Sequence, residues 1–141
     1  MFASDPKKIA KSYGTAFITV TDSGDEYVID NIEGDINLYK NGEFYKKIDT
    51  VEGDYNYYIK SNGNDIYTVV SEQLAGTTRV RKNDTLLYTL NAEDAYGMAV
   101  DSEGNVYSIT VNNDWTLYKI WKNNEAVYTL SYAPDYLTTL N

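Results

Sequence analysis

At 141 residues, 43% of them hydrophobic, the chain has apolar material for one domain with a core and too little for two large ones. Its 21 acidic against 12 basic residues give a formal charge of −9, which opposes phosphate backbones and anionic bilayer surfaces, so neither nucleic acid nor membrane is expected as a partner. The absence of both Cys and His excludes disulfides, thiolate and imidazole metal ligands and the commonest general base; no metal or cofactor is expected, and any chemistry would fall to carboxylates, Tyr and Lys.

The opening Met1-Phe2-Ala3-Ser4-Asp5-Pro6-Lys7-Lys8 has no basic start followed by an apolar run, so it does not read as a secretory leader. Lys7-Lys8-Ile9 echoes Lys46-Lys47-Ile48 and predicts a stray outer strand over 2–10. Short runs rich in Val, Ile, Tyr and Thr then follow in groups of four, and each run reads as a strand. The first group covers 16–21, 26–30, 36–40 and 43–48; the second, 56–60, 66–70, 77–82 and 85–90; the third, 96–101, 106–111, 116–122 and 125–130. Residues 136–141 lie 40 beyond 96–101 and predict one more inner strand, so the final partial unit spans 135–141. Helical periodicity is nowhere sustained, and 15 Tyr against 3 Phe and 2 Trp suit half-buried strands whose rings keep a wet hydroxyl.

Two anchors fix the repeat. Tyr27, Tyr67 and Tyr107 are spaced by 40 residues, while Lys40-Asn41-Gly42, Lys82-Asn83-Asp84 and Lys122-Asn123-Asn124 are spaced by 42 and 40, so a variable loop separates the anchors. A four-stranded antiparallel meander recurring at this period is the pattern of a propeller blade, with a parallel β-helix as the structural alternative. The expected fold is all-β: three blades over about 13–49, 54–91 and 95–131, with partial blades at both ends. Trp121-Lys122-Asn123-Asn124, followed by Val127-Tyr128-Thr129-Leu130, resembles bacterial β-propeller repeats with an aromatic-Lys-Asn-Gly-like turn, though no Trp-Asp pair closes the third strand as in WD-type blades. The resemblance implies an extracellular or cell-surface setting and specifies a blade better than an activity.

Three blades fall short of the four to eight that close a ring, so either identical chains complete it, two copies giving six blades, or the sequence is a fragment of a larger secreted propeller. A homo-oligomer, such as a dimer, is therefore expected. Loops joining second to third strands and loops joining blades should share one face, and that rim is acidic and aromatic. Asp54, Tyr55, Asp94, Tyr96, Asn113 and Trp115 are the candidate ligand-binding residues, with rings to stack on sugar faces and carboxylates and amides to meet hydroxyls of a glycan, or to contact a protein. The plainer alternative has the acids solvated and Trp115 sealing a gap between blades. No catalytic residue is assigned, although Asp54, Glu93, Asp94 and Asp114 could in principle serve glycoside hydrolysis. Asp22-Ser23-Gly24-Asp25-Glu26 and Asp101-Ser102-Glu103-Gly104-Asn105 read as hairpin turns rather than calcium loops, Asn83-Asp84-Thr85 as a turn rather than a glycosylation site, and Trp121 and Tyr128 as core. The expectation is thus a non-enzymatic binding or assembly module.

Overall fold

The computed structural model describes residues 17–133, and the partial strands expected at 2–10 and 135–141 lie outside them. Twelve strands form three four-stranded antiparallel sheets, each in sequential order. The first holds β1 (Phe17–Val20), β2 (Glu26–Ile32), β3 (Asp35–Lys40) and β4 (Glu43–Thr50). The second holds β5 (Tyr55–Asn62), β6 (Asp65–Glu72), β7 (Thr77–Lys82) and β8 (Thr85–Leu90). The third holds β9 (Asp94–Val100), β10 (Val106–Val111), β11 (Tyr118–Lys122) and β12 (Glu125–Leu130). These are propeller-like blades, and no sheet closes on itself.

The recurring Asn of the Lys-Asn turn is a structural clasp. Asn41, Asn83 and Asn123 adopt φ of 51°, 57° and 54°, a left-handed conformation that Asn tolerates better than most residues. Each side-chain oxygen accepts the N–H of a residue opening the blade's second strand, from Glu26 at 2.8 Å, Ile66 at 3.1 Å and Val106 at 3.0 Å. Each side-chain NH2 donates to the residue just before, Asp25 at 3.0 Å, Asp65 at 3.3 Å and Asn105 at 3.1 Å. One side chain thereby ties the turn between the third and fourth strands to the start of the second. The 42-residue step also has a simple origin: β2 and β3 join through Glu33 and Gly34 alone, whereas β6 and β7 join through residues 73–76. The first within-blade loop is therefore shorter than the expected 31–35, because Asn31 and Ile32 continue the ladder opposite Ile36 and Asp35.

Alternation along the strands gives each sheet two packing faces. Tyr27, Ile29, Ile36 and Leu38 of the first sheet pack with Val51 against Tyr57, Ile59, Ile66 and Val70 of the second. Tyr67, Val69 and Val80, on the opposite face of the second sheet, pack against Ala95, Met98 and Val106 of the third. Tyr27 and Tyr67, two of the three period-setting tyrosines, thus belong to the face that receives the next blade. The Tyr67 hydroxyl comes so near Gly104 that a Cβ there would stand 3.1 Å away, a reason for glycine in that turn beyond its φ of 84°. The inner strands are stitched from blade to blade: the Thr19 hydroxyl donates to Ser61 Oγ at 2.8 Å, and the Asp22 N–H to the Gly63 carbonyl at 2.9 Å. Farther out, Asp49 Oδ2 on β4 takes Arg79 Nε and Arg81 Nη1 on β7 at 2.7 Å each, and Arg79 also reaches Glu72 at 3.0 Å. All four side chains of this seam are largely buried.

The acidic turns are used by the backbone. Asp101 Oδ1 accepts the N–H groups of Glu103 and Asn105, and Oδ2 accepts the Asn105 amide, leaving a closed turn. Asn83 is engaged in its clasp. Trp121 is half-buried and donates its indole N–H to Thr110 Oγ1 at 2.8 Å. Tyr128, expected in the core, is instead 64% exposed. Its counterpart 40 residues earlier, Tyr88, is partly covered because it packs at the cluster shared with the third sheet, and no described sheet follows β12.

Candidate binding cleft

The connection from β4 to β5 is held against the β2–β3 turn. The Val51 N–H donates to the Gly34 carbonyl at 2.8 Å, and a Cβ on Gly34 would stand 2.8 Å from the Val51 carbonyl oxygen, so only glycine fits there. Three residues on, the Asp54 carbonyl accepts the Gln73 N–H at 3.0 Å, linking this connection to the β6–β7 loop. The next inter-blade connection is fixed in a different way. The Thr78 hydroxyl donates to the Ala92 carbonyl at 3.0 Å and the Ala95 N–H donates to Ser71 Oγ at 2.9 Å, which sets Asp94 between two anchored neighbours.

The third contributor is the loop from β10 to β11. Asn112 Oδ1 accepts the N–H groups of Thr116 at 2.9 Å and Leu117 at 3.0 Å, and the Trp115 N–H donates to the Asn112 carbonyl at 3.0 Å. This arrangement puts Trp115 at φ 60°, a conformation that costs a bulky residue of order 1–3 kcal/mol. Its indole is 56% exposed and stands edge-on to Tyr96, with centroids 6.2 Å apart; Tyr96 in turn meets Tyr118 at 5.8 Å.

An open cleft of about 470 Å³ lies among these three pieces, lined by Asp54, Tyr55, Asn56, Gln73, Asp94 and Trp115 together with Gly53. Four of the six residues expected from the sequence therefore line one cavity. Tyr96 is outside the lining but meets Trp115 edge-on, and Asn113 is joined to the lining by the Gln73 side-chain amide, which donates to its Oδ1 at 2.7 Å. Sequence reasoning missed Gln73 and Asn56. Gln73 lies in a loop already placed on the rim but carries neither ring nor charge, and Asn56 was read simply as a strand residue. Tyr55 stacks on Tyr57 at 5.9 Å with the rings 9° from parallel, and a second hollow beside Asn31, Gly34 and Val51 shares it.

Asp94 is 7% exposed, and among the described residues no hydrogen bond or ion pair reaches its carboxylate. Burial, then the charges of Glu93 and Asp54, push its pKa upward. Among the described residues the lining holds two carboxylates and no cation. Among the described residues no group of three or more acidic side chains converges on a metal-sized site. Comparison with protein-family models and with curated proteins finds no match to this chain.

Proposed function

We propose that the chain is a non-enzymatic recognition module of the propeller-repeat type, which binds a glycan in the cleft between the inter-blade connections and the β10–β11 loop. The observation that carries this reading is Trp115: a large ring in a strained backbone conformation, left more than half exposed, at the mouth of a cleft floored by a buried polar group. A packing role would normally bury such a ring. Tyr55 and Trp115 offer flat apolar surfaces to sugar rings, while Asn56, Gln73 and the two carboxylates offer both donors and acceptors to hydroxyls. Titration of oligosaccharides against intrinsic fluorescence tests it, since Trp115 and Trp121 are the two tryptophans. Binding that quenches or shifts the emission and is lost in Trp115→Ala supports the reading; unchanged affinity in that variant refutes it.

Self-association is a second reading, favoured by repeat equivalence. Val28 and Asp30 occupy the strand positions of Thr68 and Val70 and of Ser108 and Thr110, one period apart, on the face by which each later blade meets its predecessor. Ile109 and Ile120 occupy those of Val69 and Val80, on the face that receives a successor. Val28, Asp30 and Ile109 are buried within the chain itself, so what a second copy would cover, head to tail, is the exposed Ile18, Val20 and Phe44 on the first sheet and Tyr128 on the third. Light scattering at a multiple of the chain mass supports this assembly, and a monodisperse single-chain mass refutes it.

A further inference from the structure

We infer that the glycan taken by this cleft carries free amino groups, so that a protonated ammonium sits between Asp54 and Asp94. The inference rests on the recognition reading above and narrows its ligand. Asp94 is more than nine-tenths buried, lines the cavity, and has no hydrogen-bond or ion-pair partner among the described residues. Its oxygens are not sealed but open to the cleft, where an entering ligand can reach them and supply the missing partner. The charges around it favour a cation over a neutral hydroxyl. Asp54 lines the same cavity and Glu93 is adjacent in the chain, both acting on Asp94, with no basic side chain among the described residues of the lining. A neutral sugar would displace water from these acids and strengthen their mutual repulsion, whereas an ammonium would relieve it and donate up to three hydrogen bonds.

The rings suit the same ligand. Trp115 and Tyr55 present π faces that attract both the C–H surface of a sugar and a nearby ammonium. Asn56 and Gln73 remain for uncharged ring substituents. A single charge-assisted contact of this kind is worth about one to two factors of ten in affinity.

The test compares two ligands of the same length and backbone, the hexamer of glucosamine and the hexamer of N-acetylglucosamine, by calorimetry and tryptophan fluorescence in mildly acidic, low-salt buffer. Tighter binding of the glucosamine hexamer by about tenfold or more, weakened by added salt and reduced towards the neutral ligand's affinity in both Asp94→Asn and Asp54→Asn, is the expected result. Asp54 is exposed, so its variant reports on charge without disturbing a buried position. Equal or tighter binding of the acetylated hexamer overturns the ammonium inference and leaves the cleft as a glycan site. Failure of both hexamers to bind, with no change in emission, overturns the inference together with the glycan reading.

Discussion

Replacing Asp30 should stabilise the protein, and the gain should vanish in acid. Asp30 lies on β2, fully buried, directly opposite Asn37 in the ladder, and neither carboxylate oxygen finds a hydrogen-bond partner among the described residues. Burial raises its pKa from 3.8 to about 6, with the nearby Tyr39 hydroxyl offsetting part of the effect. Unfolded, the group ionises near its ordinary value, so the folded state pays an increasing penalty as the pH climbs from 3.8, and the penalty is complete above about 6. At about 1.4 kcal/mol per tenfold change, the full cost near neutrality is about 3 kcal/mol. Asp30→Asn removes the charge, and Asp30→Val adopts the residue found one period later at Val70. Both variants should therefore raise the urea midpoint at about pH 7.5, and the difference from the parent should shrink towards zero at about pH 4. Asp49, held below the ordinary range, stays ionised across that interval and cancels in the comparison. A gain independent of pH, or a loss of stability at about pH 7.5 in both variants, would refute the reasoning.

Asn123→Ala should cost about 1–2 kcal/mol in urea unfolding, because it loses the side-chain bonds to Val106 and Asn105 and places a Cβ-bearing residue without compensation at φ 54°. Asn123→Gly should recover the backbone part alone and fall between the two. Asp49→Ala should cost about 3 kcal/mol, since it leaves Arg81 buried without its carboxylate while Arg79 keeps Glu72. Burial alone would raise the Asp49 pKa, but the bonds from Arg79 and Arg81 reverse that and hold it lower. Its contribution is thus present above the ordinary carboxylate value and disappears as the pH falls through its folded one, so parent and variant should converge only in strong acid. Convergence by about pH 5 would contradict the seam.

Most of the fold was legible because its determinants are local and recur. The Tyr spacing marks the second strand of each blade, and the Lys-Asn turn marks the clasp that returns to it. Strand ends were less legible, since alternation does not say where pairing stops: β2 runs to Ile32 because two residues suffice for a turn once Gly34 takes φ 92°. Tyr128 was misread for a different reason. Its strand shares the closing Tyr-Thr-Leu of β8, and its exposure depends on the neighbour that packs beside it, which periodicity does not encode. The same holds for the seam. Arg79 and Arg81 stand where the third blade has Lys119 and Trp121, so no repeat signal announced that two guanidiniums would share Asp49.

The cleft arises where the copies differ. Residues common to all three units are largely absorbed by the fold, the Asn clasps being the clearest case. Asp54 and Asp94 are equivalent positions in successive connections, yet Asp54 is exposed while Asp94 is buried, because the ladder takes Asp94 in as the first residue of β9, paired with Val111. Tyr55 has Ala95 as its counterpart, and Trp115 falls in a loop that is only two residues long in the first blade. A regular repeat would have placed one ring and one acid at every blade junction, giving several shallow and equivalent sites. Here the third blade brings both a ring, Trp115, and a buried acid, Asp94, against Asp54 of the connection that enters the second, and the asymmetry makes a cavity of about 470 Å³. Selectivity in such a scaffold should therefore follow substitutions in the β6–β7 and β10–β11 loops, which can change the cleft without disturbing the clasps that hold the blades.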